Sequence, residues 1–307
     1  MLSFSLFRNL ERYIPFIALA FLLFSPHYAG AEQNLSPYLK VGVFSGNVDA
    51  AATGVKEALL AGNFKVLGEY KPEDSDNMRV IAYTRDDLIA TVLKVKDRGL
   101  LAAALKVGII STGGKTEISM VNPEYLFRGY LMSSYKPNNA QLSKVASDVK
   151  AALGKVGSEF TPFGGSVSTS DLEHYHYMFG MEYFDNPVLL GKFQTFQEGL
   201  AKIESSLSAN KGGVKKVYSI VDESSQTAVF GVALTDPDRG EKFFLPIIGE
   251  SHLAALPYEF VLQGNKATML HGRFRIAIHW PALTMVTFTK IITTPDAIND
   301  MLENAIK

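Results

Sequence analysis

Two histidines and two methionines fall within eight residues, in His174-Tyr175-His176-Tyr177-Met178-Phe179-Gly180-Met181. If the segment is extended, His174, His176 and Met178 project from one face, because side chains alternate along a strand. Two imidazoles and a thioether would suit copper, or haem iron as axial ligands. If it is helical, the faces change: His174 meets Met178 and Tyr177 meets Met181, each pair four residues apart. The competing reading is packing, in which the Tyr, Phe and Met side chains form an aromatic strap over the rest of the fold. A second group, His271, Arg273, Arg275, His279 and Trp280, either offers cationic and hydrogen-bonding side chains to an anionic ligand or forms a solvated face.

Most catalytic apparatus is absent from the sequence. It contains no G-x-S-x-G elbow, no phosphate-binding Walker loop, no G-x-G-x-x-G after a strand and no H-E-x-x-H helix. Acyl transfer, phosphoryl transfer, dinucleotide binding and zinc proteolysis therefore lack their usual groups. Gly164-Gly165-Ser166 reads as linker, and Asp236-Pro-Asp238-Arg-Gly240 as a turn, because it lacks the further ligands of a calcium loop. With no cysteine, the chain has neither a thiol nucleophile nor a thiolate metal site.

The elements that would position these residues follow a repeating order. Residues 38–44 alternate like a strand, and the Ala-rich 49–61 reads as a helix ended by Gly62. Runs 64–70 and 78–84 form a hairpin across the turn formers Pro72, Asp74, Ser75 and Asp76. Leu88, Ile89, Val92 and Val95 line one face of a helix over 85–95. A second hairpin joins 103–110 to 115–121 through Thr112-Gly113-Gly114, whose glycines take positive φ readily. Pro123 starts a short helix, and 140–153 closes the module with a longer one. Later in the chain the order recurs: helix 196–209, hairpin 214–221/227–235, hairpin 256–262/266–271 and closing helix 296–306. The stretch 237–246 reads as less helical than 85–95.

The recurrence is also visible residue by residue. At a displacement of 151, residues 58–115 and 209–266 share 12 identities in 58 pairs, against roughly three or four by chance. Ala103-Ala104-Leu105 falls on Ala254-Ala255-Leu256, Gly113 on Gly264 and Val66 on Val217. The expected organisation is a signal peptide at 1–31, a first repeat domain at 32–156, a linker and strap at 157–192, and a second repeat domain at 193–307. The expected fold class is α+β: two tandem, similar two-layer α/β sandwich domains, each a mixed or antiparallel sheet with helices on one face.

Gly62-Asn-Phe-Lys-Val-Leu-Gly-Glu-Tyr70, Ala103-Ala104-Leu105-Lys106-Val107 and Met120-Val-Asn-Pro-Glu-Tyr125 resemble the pattern of domain-of-unknown-function family 302. The resemblance extends to the second copy through Ala255-Leu256-Pro257, although Arg273 and Phe274 replace its Asn-Pro pair. It implies a two-layer α/β sandwich and no established activity. A ligand site at the end of this pattern would use Asn122, Tyr125 and Arg128, with His271, Arg273 and His279 as candidates in the second copy.

Arg8 and Arg12, the apolar run 14–24 and Ala29-Gly30-Ala31 have the three-part pattern of a secretory signal. The run of about 11 residues is shorter than the roughly 20 of a spanning helix. Removing 1–31 takes away Arg8, Glu11 and Arg12, leaving 28 basic and 30 acidic residues. That near balance gives no reason to expect nucleic acid or an anionic membrane as partner. The expectation is an exported, periplasmic, non-catalytic binding protein with a small ligand or an exported protein partner, and no membrane insertion after cleavage. Competing readings are a copper or haem protein using His174, His176, Met178 and Met181, a hydrolase-type enzyme, and a structural or assembly partner.

Overall fold

A computed structural model of the chain describes residues 33–176 and 178–307. The expected signal peptide and Tyr177 lie outside the described residues. The chain opens with β1 (Asn34–Leu35) and β2 (Tyr38–Phe44). Helix α1 (Val48–Ala61) starts where the Asn47 side chain accepts the Ala50 N–H, and it buries Val48, Ala51, Val55 and Leu59 along one face. β3 (Lys65–Tyr70) and β4 (Met78–Thr84) form the expected hairpin, and every residue of β4 is buried. After α2 (Asp86–Val92), β5 (Leu105–Thr112) turns into β6 (Lys115–Val121) through Gly113 and Gly114, with φ of 58° and 80°. Next come α3 (Pro123–Leu131) and α4 (Tyr135–Leu153), then β7 (Thr161–Phe163), β8 (Val167–Ser168) and α5 (Thr169–Glu173).

The second half runs β9 (Val188–Lys192), α6 (Phe196–Ser208), β10 (Val214–Asp222), β11 (Thr227–Leu234) and α7 (Glu241–Ile248). It ends with β12 (Tyr258–Gln263), β13 (Lys266–Met269), α8 (Gly272–His279), α9 (Met285–Lys290) and α10 (Thr294–Ile306). Two antiparallel sheets result, of order β3-β4-β5-β6-β2-β7 and β10-β11-β12-β13-β9, with β1 and β8 paired separately. The fold is therefore α+β. Apart from the added β7, the second sheet repeats the order of the first, and the bulges match as well. Val41 and Leu190 are the extra residues of the two first strands, and Leu67 and Val217 those of β3 and β10.

Two regions depart from the sequence expectation. Residues 241–248 are helical despite Pro246, because Phe244, Leu245 and Ile248 are buried and tertiary packing outweighs the proline. Val188–Lys192, inside the expected linker and strap, is a strand of the second sheet. Residues Asn34–Lys307 form one compact unit. Edge strands β3 and β10 meet so closely that a Cβ on Gly68 would collide with the Val217 carbonyl. A Cβ on Gly108 of β5 would sit 2.7 Å from that of Leu253. Glycine is required at both positions because a neighbouring segment occupies the place of a side chain.

Candidate functional site

The meeting of β3 and β10 leaves a cleft of about 610 Å³. Tyr70 enters it from the end of β3, Lys215 and Lys216 from β10, and Glu241 and Lys242 from the start of α7. Glu241 is only 2 % exposed. Its Oε1 accepts the Tyr70 hydroxyl at 3.0 Å and the Leu234 N–H at 3.1 Å, so the carboxyl ties both halves of the chain together. Burial holds its pKa up at about 8, against the pull of three donors: the Leu234 N–H, the Tyr70 hydroxyl and the Glu73 N–H. At neutral pH it is a protonated acid surrounded by hydrogen-bond donors.

The turn that delivers the Glu73 N–H is strained. Glu73 and Asp74 have φ of 58° and 57°, a left-handed conformation unfavourable for residues with a Cβ. Burial and the nearby Glu250 raise the pKa of Glu73 as well, while Lys242 opposes them. Five cationic and five carboxyl residues line the cleft. Several are engaged at its rim: Arg79 with Asp49 and Glu69, Lys216 with Glu204, and Asp236 with Arg239. Lys215 and Lys242 make no ion pair among the described residues. The cleft can thus offer a neutral acid and two uncommitted ammonium groups to a polar solute.

A second polar cluster lies wholly inside. Lys106 and Glu259, each the second residue of the third strand along its sheet, form a buried ion pair. Tyr218 donates to the same carboxylate at 2.8 Å, and Arg275 approaches it at 3.6 Å. Burial pushes the Lys106 pKa down, while Glu259 opposes that shift. Beside this pair, the Tyr38 hydroxyl donates to the His279 carbonyl at 2.9 Å and lies 3.2 Å from Nδ1, while the Tyr130 hydroxyl lies 2.8 Å from Nε2. Burial, with Arg275 and Lys106 nearby, pushes the His279 pKa well below its ordinary value. The neutral ring then carries its proton on Nδ1, donating to Tyr38, and accepts from Tyr130. Every donor and acceptor of this histidine is used by neighbouring protein groups.

The sequence-derived candidates are dispersed. Asn122 is buried and its amide donates to the Ser36 carbonyl at 2.9 Å. The Tyr125 hydroxyl donates to the Ile278 carbonyl at 2.6 Å, and Arg128 pairs with Glu173 while lying over the Tyr135 ring. His271 and Arg273 come together at Glu182, 3.5 and 3.4 Å away. Arg275, His279 and Trp280 are buried, so they do not form a solvated face. Along the strap, His174 Nδ1 lies 3.3 Å from the Ser170 carbonyl. The His176 ring stacks on Tyr183 at 3.8 Å, and its Nε2 lies 3.0 Å from the Met181 carbonyl. Met178 and Met181 line an apolar groove with Arg273, Trp280 and Met285. Among the described residues no group of three or more His, Asp or Glu is placed to hold a metal ion.

Sequence reasoning missed Glu241, Tyr70 and the lysines of the cleft. One signal was present, an acidic residue heading the otherwise apolar Phe243-Phe244-Leu245-Pro246-Ile247-Ile248.

No known protein family matches the sequence, and no curated protein does either. Among solved structures, an uncharacterized conserved protein DUF302 from Bacillus stearothermophilus is similar at 19% identity with a TM-score of 0.34, over 39% of this chain and 97% of its own. Among the described residues, no helix is long and apolar enough to cross a membrane.

Proposed function

We propose that this chain is a non-catalytic binding protein that takes a small, polar, charge-bearing solute in the cleft between β3 and β10. The observation that carries this reading is the buried, protonated carboxyl of Glu241 at a polar cleft. Its three contacts are all donors, so its own proton is available to an acceptor on a ligand, while Lys215 and Lys242 complement an anionic group. The positive-φ turn at Glu73 and Asp74 supports the reading, because backbone strain concentrates where a ligand must be met.

Export to the periplasm belongs to the same proposal and rests on the basic, apolar and small-residue pattern of 1–31. So does an origin by tandem duplication of family-302-like modules, supported by the 151-residue displacement, the repeated strand order and the matched bulges.

A thermal-shift screen with amino acids, dicarboxylates, sugars and sugar phosphates tests the binding reading. One class should raise the melting temperature of the wild-type protein, and Lys242→Ser or Glu241→Met, which removes the donor at similar volume, should shrink that rise. The reading fails if no class shifts the wild type, or if both variants respond as it does. The raised pKa of Glu241 also fits a general acid. Turnover of the stabilising solute, lost in Glu241→Gln, would move the assignment to an enzyme.

A further inference from the structure

The two sheets differ at one edge. In the first, β2 is covered by the chain that follows α4. Thr161–Phe163 of β7 pairs antiparallel with Lys40, Leu39 and Tyr38, the Glu159 N–H donates to the Val41 carbonyl at 2.9 Å, and the Glu159 carboxylate lies 3.6 Å from the Lys40 ammonium. β9 holds the same place in the second sheet, antiparallel to β13 as β2 is to β6, with the bulged Leu190 answering Val41. Its other side is open. β9 ends its sheet, and among the described residues no backbone group from outside the sheet bonds to Val188–Lys192. The matched bulges align Val188 with Leu39, Leu189 with Lys40 and Gly191 with Gly42. Leu39 and Gly42 are buried, whereas Val188 and Gly191 are partly exposed and Leu189 is 53 % exposed.

An open edge presents unpaired N–H and C=O groups on which a further strand can form. The first sheet shows what fits there: a short extended segment running antiparallel. Side chains tell the two edges apart. Lys40 stands opposite Thr161, but Leu189 in its place offers an apolar side chain to a cross-strand neighbour. Lys192 faces Lys266 directly across the β9–β13 ladder, both are exposed, and neither makes an ion pair among the described residues. Like charges set opposite one another are unfavourable, and a carboxylate beside them offsets that cost. We infer that the outer edge of β9 binds an extended segment of a partner protein, added antiparallel as a sixth strand of this sheet. The segment carries an apolar or β-branched residue opposite Leu189 and, on its N-terminal side, an acidic residue that reaches Lys192 and Lys266.

The probe is a synthetic peptide with the sequence of residues 157–164, which include Glu159 and β7, carrying Thr161→Val to suit Leu189. It is titrated into the nitrogen-labelled full chain while the backbone amide resonances are followed. Saturable shifts are expected at 188–192 and 266–269, with β2 and β6 unmoved. Lys192→Glu, on the exposed edge, should keep the wild-type melting temperature while weakening the peptide by about threefold, and a peptide that also carries Glu159→Lys should reverse that preference. Leu189→Lys, a charge of the kind that protects natural edges, should lose the peptide. Absence of a saturable shift at β9, shifts at β2 and β6 instead through exchange with β7, or equal binding of both peptides by wild type and Lys192→Glu would overturn the proposal. So would concentration-dependent shifts of the same β9 amides without peptide, which would make a second copy of the chain the occupant.

Discussion

Replacing Glu241 by Gln should make the protein markedly less sensitive to alkaline pH. Gln preserves the volume and an acceptor for the Tyr70 hydroxyl and the Leu234 N–H, but cannot ionise. In the folded protein this carboxyl titrates near pH 8 instead of its ordinary 4.5. The folded state therefore holds a proton that the unfolded chain releases. Its stabilising effect is fully present below about pH 4.5 and is lost progressively as pH rises to about 8. At about 1.4 kcal/mol per pH unit, the whole interval corresponds to about 5 kcal/mol. His252 and His279, both lowered by burial, act with the opposite sign below about pH 6.5, where the unfolded chain takes up protons first. These terms are common to both proteins and cancel in their difference. Urea unfolding followed by the fluorescence of buried Trp280 gives that difference at each pH. The stability of Glu241→Gln relative to wild type should climb from pH 4.5 to 8.5 by several kcal/mol. A difference that stays flat across that range refutes the assignment of a protonated, buried carboxyl.

Other consequences can be read by the same unfolding assay. Gly68→Ala drives a methyl group into the Val217 carbonyl and should cost more than about 2 kcal/mol, whereas Gly114→Ala, with open space around it, should cost only the strain of its positive φ. Lys106→Met leaves the Glu259 carboxylate buried with Tyr218 and the more distant Arg275, and should destabilise by about 3 kcal/mol. Tyr130→Phe removes the donor to His279 Nε2 and should cost about 1–2 kcal/mol, leaving the cleft's solute response intact. His176→Ala removes a ring stacked on Tyr183 in a half-buried strap, so a loss near 1 kcal/mol is expected.

The fold was more legible than the site. β2, β4 and β6 occupy the stretches that alternation and turn residues marked, because short-range pattern and hydrogen-bonded pairing agree there. β9 escaped notice because its five residues follow a long irregular segment, and only pairing with β13 makes them a strand. α7 was obscured by Pro246, whose local effect is outweighed by burial of the surrounding apolar side chains. The Glu241 site had no compact signature. Its partner Tyr70 is 171 residues away, and its pKa depends on burial created only when β3 and β10 meet. Conversely, the concentration of His and Met at 174–181 drew the eye to metal chemistry, whereas the contacts the structure gives them are packing ones: His176 stacks on Tyr183 and the methionines line an apolar groove.

Solute binding in the cleft and protonation of Glu241 are coupled if that carboxyl is the ligand's donor. Carbon-detected NMR of protein labelled at glutamate side-chain carboxyls tests it most directly, with Glu241→Gln used to assign the resonance. This carboxyl should titrate near pH 8, and the solute that stabilises the protein should shift both the resonance and its titration midpoint. A carboxyl titrating below pH 5, or one unmoved by every stabilising solute, would contradict it.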